Sequence, residues 1–290
     1  MRPVITQARC ARFPGIAIAL SVLLSCAMLA NAQGGRGGGR GNGAPAAPPP
    51  TAKASAPIDL TGYWTAFITE DWQARMLTTP KGASRGRIPF KPTGIQAAAK
   101  ADPAADEAEH NTCKAFGAIG IMRQPTHLHI TWQDENTLKV EADFGTQTRV
   151  FHFAPPTGLG RVDYISGAYV PPEAPKLEIP TGTESSLQGY SVASWNIMGG
   201  ERNVERGGDL KVVTTHLKPG YYWRNGAPYT GDAVLTEHFR TMALPDNSSW
   251  LVLVQIVEDP AYLTQPYVVN YQFKKLSDGS KWSPTPCTVH

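Results

Sequence analysis

Histidine is the side chain here whose type and spacing most readily suggest chemistry. The chain contains seven. His110 falls in a helix–loop stretch and His290 closes the chain, so neither attracts a role. In Thr126-His127-Leu128-His129-Ile130-Thr131-Trp132, a period of two puts His127, His129 and Thr131 on one strand face. Leu128, Ile130 and Trp132 take the other. A His-x-His pair projecting from one strand can offer two imidazoles to one metal. With His152 and His216 from other strands, His127 and His129 form a candidate site for a divalent ion, zinc or copper, with Glu141 or Asp143 as oxygen donors. The same groups without metal, His129, Asp143, His152 and His216, form a candidate acid–base cluster, because a neutral imidazole can take or give a proton near neutral pH. His238 lies beside Glu237 on a further strand. Histidines half-buried against threonine hydroxyls and backbone groups are the plainer alternative.

Other catalytic signatures are poor. Gly189-Tyr190-Ser191 lacks the rest of a nucleophile elbow. Gly34–Gly43 is glycine-rich but unflanked by strand and helix, so it is no phosphate loop. Glu70-Asp71-Trp72 places two carboxylates after the first strand, where a solvated loop is the commoner reading. Aromatic residues supply a second signal. Trp64, Tyr190, Trp195, Tyr221, Tyr222 and Trp223 are candidates to line a ligand site, the last five being read in or beside turns. Closing one end of a core is the equal alternative.

These groups must be positioned by strands. Alternating or β-rich segments occur at Gly62–Thr69, Thr126–Trp132, Thr137–Phe144, Thr148–Phe153, Leu210–Leu217, Ala233–Thr241, Trp250–Val257 and Tyr267–Lys275. Gln133–Asn136 and Gly145 separate three of them into a meander. One helix is expected within Thr93–Ala108, with Thr93 as its cap and Pro103 limiting its length. Residues 154–185 hold six prolines and read as a long Pro/Gly-rich loop. An antiparallel sheet of this size must hide its edges, and a barrel closes them while a sandwich covers them. The expected class is mainly β: a single antiparallel barrel with one short helix.

The chain carries Lys+Arg 27 against Asp+Glu 24. Six of the basic residues, and no acidic one, lie in residues 1–56, so residues 57–290 hold 21 basic and 24 acidic side chains. The folded part is therefore not a basic surface, which argues against nucleic acid as a partner. Arg2, Arg9 and Arg12 precede an apolar run from Gly15 to Leu29, and Ala30-Asn31-Ala32 offers a cleavage site. Residues 1–32 are read as a signal peptide, 33–57 as a disordered Gly/Arg/Pro/Ala-rich linker, and 58–290 as the β domain. A retained anchor, or a lipid on Cys26, are the competing readings. A run of about 15 residues is short for a membrane span. Cleavage would leave Cys113 and Cys287 alone, with a single possible disulfide between them in the periplasm or outside the cell.

Asp59-Leu60-Thr61-Gly62-Tyr63-Trp64 resembles the Gly-x-Trp opening of lipocalin-like (calycin) barrels. More broadly, Asp59–Trp64, Glu70–Trp72, Arg75–Gly82, Asn111–Arg123, Leu128–Thr148, Gln188–Trp195, Leu210–Gly220, Val234–Phe239, Glu258–Pro260 with Tyr262, Pro266–Lys275 and Pro284–Cys287 follow the order seen in a family of exported bacterial proteins beginning Asp-Leu-[Ser/Thr]-Gly-x-Trp. The resemblance implies export and a lipocalin-like barrel, with no activity attached. Many relatives have Gly-His-Ser where Gly189-Tyr190-Ser191 stands. The leading expectation is an exported barrel binding a small, partly apolar molecule in an aromatic and histidine-lined cavity. A periplasmic lyase, isomerase or hydrolase using the His/Asp cluster, and an envelope-interaction module, are the alternatives.

Overall fold

Alternation along the strands sets the architecture. The structure, a computed structural model, describes residues 50–69, 75, 79–84, 86–154, 161–162, 169–170, 178–198 and 207–288. The expected signal peptide, most of the linker, Glu70-Asp71-Trp72 and His290 lie outside these residues.

Nine strands close into a barrel: β1 (Gly62–Phe67), β2 (His127–Asp134), β3 (Thr137–Ala142), β4 (Gln147–Phe153), β7 (Tyr190–Met198), β8 (Gly207–Thr215), β11 (Val234–Ala243), β12 (Ser249–Glu258) and β13 (Tyr267–Lys275). Around the barrel the order is β1-β13-β12-β11-β8-β7-β4-β3-β2, and β2 returns to β1. Between β4 and β7, Arg161–Val162 (β5) pairs with Tyr169–Val170 (β6). A hairpin of β9 (Gly220–Trp223) and β10 (Ala227–Tyr229) stands apart from the barrel wall.

Closure decides between barrel and sandwich. Eight of the nine neighbour pairs are antiparallel; β4 and β7 run parallel, with Phe151 opposite Ser191. Parallel neighbours need a crossover of a dozen or more residues. The chain between Phe153 and Tyr190 makes that crossover, and most of the loop expected over residues 154–185 lies outside the described residues. Tyr190–Met198 is a strand where turns were expected, so Tyr190 and Trp195 sit in β7. Its small and polar residues, Ser191, Ala193, Ser194 and Asn196, mask the alternation. Tyr221, Tyr222 and Trp223 likewise lie on strand β9, whose every residue is buried.

Helical structure is slightly richer than expected. Ala52–Ser55 (α1) is one turn, with the Thr51 hydroxyl accepting from Ala54 N, and Ala52 is part of the core. The helix expected over Thr93–Ala108 divides into α2 (Pro92–Lys100) and α3 (Pro103–Ala108). Proline cannot donate to the preceding turn, so Asp102 caps a second helix instead. Thr93 is not the cap. Lys91 holds that position, and the Thr93 hydroxyl donates to Ala261 O at 2.7 Å.

Inward residues fill the barrel from both ends. Trp64, Leu128, Ile130, Leu138, Phe151, Phe239 and Phe273 belong to one apolar cluster, sealed at the end where β1 begins by α1 and Leu60. Trp64 has 0% exposure and donates from Nε1 to Leu60 O at 2.9 Å. Each such side chain contributes about 1.5–3 kcal/mol through burial. A second cluster closes the other end: Ile88, Ala118, Ile119, Tyr222, Trp223, Tyr229, Leu235, Val257 and Tyr267. The β9–β10 hairpin supplies its rings and so forms a cap.

Candidate functional site

Between the two apolar clusters, five neighbouring strands each turn one polar side chain inward. They are Arg149 (β4), Ser191 (β7), Thr214 (β8), Glu237 (β11) and Gln255 (β12), all buried. Register explains the level they share. Ser191 lies opposite Thr214, and Glu237 opposite Gln255. Along β11 the inward series runs Leu235, Glu237, Phe239; along β12 it runs Leu253, Gln255, Val257. A polar rung thus interrupts an otherwise apolar lumen.

The rung is centred on an ion pair. Arg149 Nη1 and Nη2 donate to Glu237 Oε1 and Oε2 at 2.9 and 2.6 Å, with side chains 2% and 0% exposed. Arg149 Nη2 also donates to Thr214 Oγ1 at 3.2 Å, and that hydroxyl lies 2.8 Å from Ser191 Oγ. Gln255 Nε2 donates to Glu237 Oε1 at 2.9 Å and to Ala118 O at 3.4 Å. Both of those partners accept only, which fixes the amide orientation. The Arg149 guanidinium stacks 4.9 Å from the Phe151 ring, which packs on Phe239.

Three atoms around this rung have no hydrogen-bond partner among the described residues: Arg149 Nε, Gln255 Oε1 and Tyr229 Oη. Tyr229 descends from the cap. Its hydroxyl is packed so closely that a Cβ on Gly117 would lie 2.6 Å from it, and one on Gly220 2.5 Å. Burial pushes the Tyr229 phenol well above its ordinary range, with the Arg149 charge pulling the other way. Gln255 reaches Ala118, the residue after Gly117, so its amide and the Tyr229 hydroxyl approach the same turn, and the amide shares Glu237 Oε1 with Arg149. Above them Tyr222 packs edge-on to Tyr229 and Tyr267, both at 5.5 Å. Burial, then the Asp259 carboxylate, raises the Tyr222 phenol. Arg123 covers the Trp223 ring at 4.5 Å.

The residues expected from the sequence to carry chemistry lie elsewhere. His127 and His129 do share a face, and it is the outer one, because Leu128 and Ile130 point inward. Each pairs with a carboxylate from the neighbouring chain segment, Glu141 on β3 and Asp143 just after it. His127 Nδ1 meets Asp143 Oδ2 at 2.7 Å, and His129 Nδ1 meets Glu141 Oε2 at 3.2 Å. His129 stacks on Tyr63 at 4.1 Å, with Trp282 edge-on at 6.0 Å. Burial alone would raise the Asp143 carboxyl. His127 N and Nδ1, Ser283 N and the Thr126 hydroxyl outweigh burial and hold it below the ordinary range.

His152 is also outward, stacked on Tyr190 at 4.7 Å. It lies opposite Thr137, whereas Glu141, the partner of His129, lies opposite Thr148. Four residues of strand, about 13 Å, therefore separate the two histidines along the sheet. His216 follows β8 with a left-handed backbone (φ 56°) and contacts the Thr215 hydroxyl at 2.9 Å. The structure thus keeps His129, Asp143, His152 and His216 in separate pairs, with Glu141, His127, Tyr190 and Thr215 respectively. Among the described residues, no three His, Cys, Asp or Glu side chains converge as a metal site.

The aromatic candidates divide. Tyr222 and Trp223 reach the cap. Tyr221 donates to Asp106, which also holds Lys114. Trp64 plugs the opposite end, near Trp195, whose Nε1 donates to Ala52 O at 2.8 Å. Tyr190 is outside with His152. Among the described residues, one surface hollow of about 270 Å³ lies beside Lys53, Asp59 and Trp132, and another of about 330 Å³ beside Phe90, Ile95 and Ala98. Neither holds a buried charged group.

The rung itself was missed, although the sequence carries its signal. Glu237, Arg149 and Gln255 occupy the apolar phase of their strands, between Leu235 and Phe239, before Phe151 and Phe153, and between Leu253 and Val257. A polar residue in that phase is the informative departure.

His152 carries a pH signature. Burial lowers its pKa from the ordinary 6.5, and Asp134 pulls it partly back. The unfolded chain therefore binds the extra proton first as pH falls. Stability is full above about 6.5 and declines through the window just below it. Urea unfolding of wild type and His152→Gln between pH 5 and 7.5 should show this decline in wild type and a smaller one in the variant.

Cys113 and Cys287 form a disulfide, compatible with an oxidising compartment. No helix among the described residues is long and apolar enough to cross a membrane. The chain matches no family model, no curated protein and no solved structure.

Proposed function

We propose that this is an exported, lipocalin-like barrel that binds a small, partly apolar molecule at the polar rung under its aromatic cap. The supporting observation is the set of unpartnered buried atoms, Arg149 Nε and Gln255 Oε1 at the rung and Tyr229 Oη and Tyr222 Oη in the cap above it, beside an ion pair whose other groups are bonded. Buried polar atoms without partners are few in native proteins, and a ligand or ordered water commonly completes them. Rings above and below, Tyr222, Tyr229, Phe151 and Phe239, suit an apolar body, while the rung fixes its orientation. This relocates the expected pocket from the histidines to the cap. The family resemblance, the N-terminal pattern and the disulfide support the periplasm or the exterior as its place.

The test is a thermal-shift screen of the oxidised protein against small aromatic and alicyclic compounds, followed by titration of tryptophan emission. Saturable hits should raise the melting temperature in wild type and weaken at least fivefold in Tyr222→Ala. A screen empty of hits would remove the reading, and a crystal structure with single ordered waters on these atoms would show what completes them instead.

A further inference from the structure

We propose that the molecule held at the rung presents an uncharged polar head, of the primary amide or hydroxyl kind, rather than a carboxylate or phosphate. The inference rests on the proposed function, since it describes the ligand of that same site.

Charge gives the first reason. Arg149 would ordinarily mark an anion site, because its fork matches a carboxylate. Here both terminal nitrogens already hold Glu237 in that bidentate manner. The pair is neutral as a unit and lies within 2% exposure. An acidic head approaching Arg149 Nε would meet the Glu237 carboxylate a few ångströms beyond the guanidinium. Glu237 would cancel most of the attraction, and nothing would offset the lost hydration of a buried anion. A neutral head loses far less on leaving water.

Hydrogen-bonding capacity gives the second reason. Arg149 Nε–H can only donate, Gln255 Oε1 can only accept, and the Tyr229 hydroxyl can do either. A head that satisfies all three must both accept and donate. A primary amide does so through its carbonyl and NH2, and a hydroxyl does so more weakly. A carboxylate accepts only and would leave Gln255 Oε1 facing another acceptor. Ordinary ketones and ethers fail for the same reason. Phe151, stacked beneath Arg149, and Tyr222, packed against Tyr229, flank the head with rings.

The test titrates the oxidised full chain with benzamide and benzoate, following tryptophan emission and heat. Benzamide should bind, with benzoate weaker by about tenfold or more. Tyr229→Phe, which deletes one hydroxyl without changing ring volume, should weaken benzamide about three- to tenfold. Glu237→Gln, checked for folding by circular dichroism, should shift the preference towards benzoate, because it frees the charge on Arg149. Wild type preferring benzoate would overturn the inference while leaving binding at the rung intact, and this arm needs no variant to fold. If neither probe binds but the screen above yields hits, their charge decides: neutral heads support the inference and acidic ones overturn it. A screen without hits overturns the proposed function and this inference with it.

Discussion

Glu237→Ala is expected to destabilise the protein by about 3–5 kcal/mol, the largest effect of any single substitution in the lumen. The loss is not the worth of a salt bridge in isolation. Arg149 stays ionised under all ordinary conditions, and at 2% exposure it has no water to turn to. Removing the carboxylate leaves a buried charge held by Thr214 alone, and also strips Gln255 Nε2 of its nearer acceptor. The double variant Arg149→Met/Glu237→Leu separates the two effects. It removes both charges and refills the space with apolar groups, so it should recover most of the loss and could exceed wild type. Urea denaturation at pH 7 of the two single variants and the double variant gives the coupling directly. A Glu237→Ala cost under about 1 kcal/mol would mean that water reaches Arg149, contrary to its burial. A double variant that is stable yet unable to bind would place the ion pair in recognition rather than in folding.

Much of the wall, and little of the rung, is legible in the sequence. Thr137–Phe144 and Thr148–Phe153 alternate cleanly, since one side of each strand meets the core and the other meets solvent. Period-two reasoning also paired His127 with His129 on one face. It could not say which face was inside until Leu128 and Ile130 were weighed against the rest of the barrel. Following the histidines by residue type therefore led outward. Following phase instead would have led to Glu237, Arg149 and Gln255. Two features lie beyond local pattern altogether. Tyr221–Trp223 is buried because the β9–β10 hairpin docks on the barrel end, a tertiary event that leaves no period in a four-residue strand. The parallel pairing of β4 with β7 depends on where a long connection returns, which strand propensity does not encode.

The second large effect belongs to the disulfide. Cys113→Ser/Cys287→Ser should lose about 5 kcal/mol by the chain-entropy relation, because the bond spans 174 residues and so encloses most of the barrel. For a domain of this size that corresponds to a melting temperature roughly 10–20 °C lower. The folded state gives little reason to change. Beyond β13 the chain is also held without the bond: Ser283 N donates to Asp143 Oδ2 at 3.1 Å, Thr285 N to Asp143 O at 2.9 Å, and Gly145 N to Thr285 O at 3.0 Å. Trp282 rests against Tyr63 and His129. The effect should therefore act on the unfolded chain, which gains freedom once its ends are no longer tied. Three measurements discriminate. Each single serine variant, blocked against mixed disulfides, should match the double. The dependence of unfolding free energy on urea should steepen as the unfolded ensemble expands. Near-ultraviolet circular dichroism of the folded variant should overlay wild type. A loss below about 1 kcal/mol would show that the unfolded chain is already compact around its aromatic clusters, so that the bond has little entropy left to remove. A changed near-ultraviolet spectrum would instead mean that the bond holds Cys113, and the cap packed near it, in place.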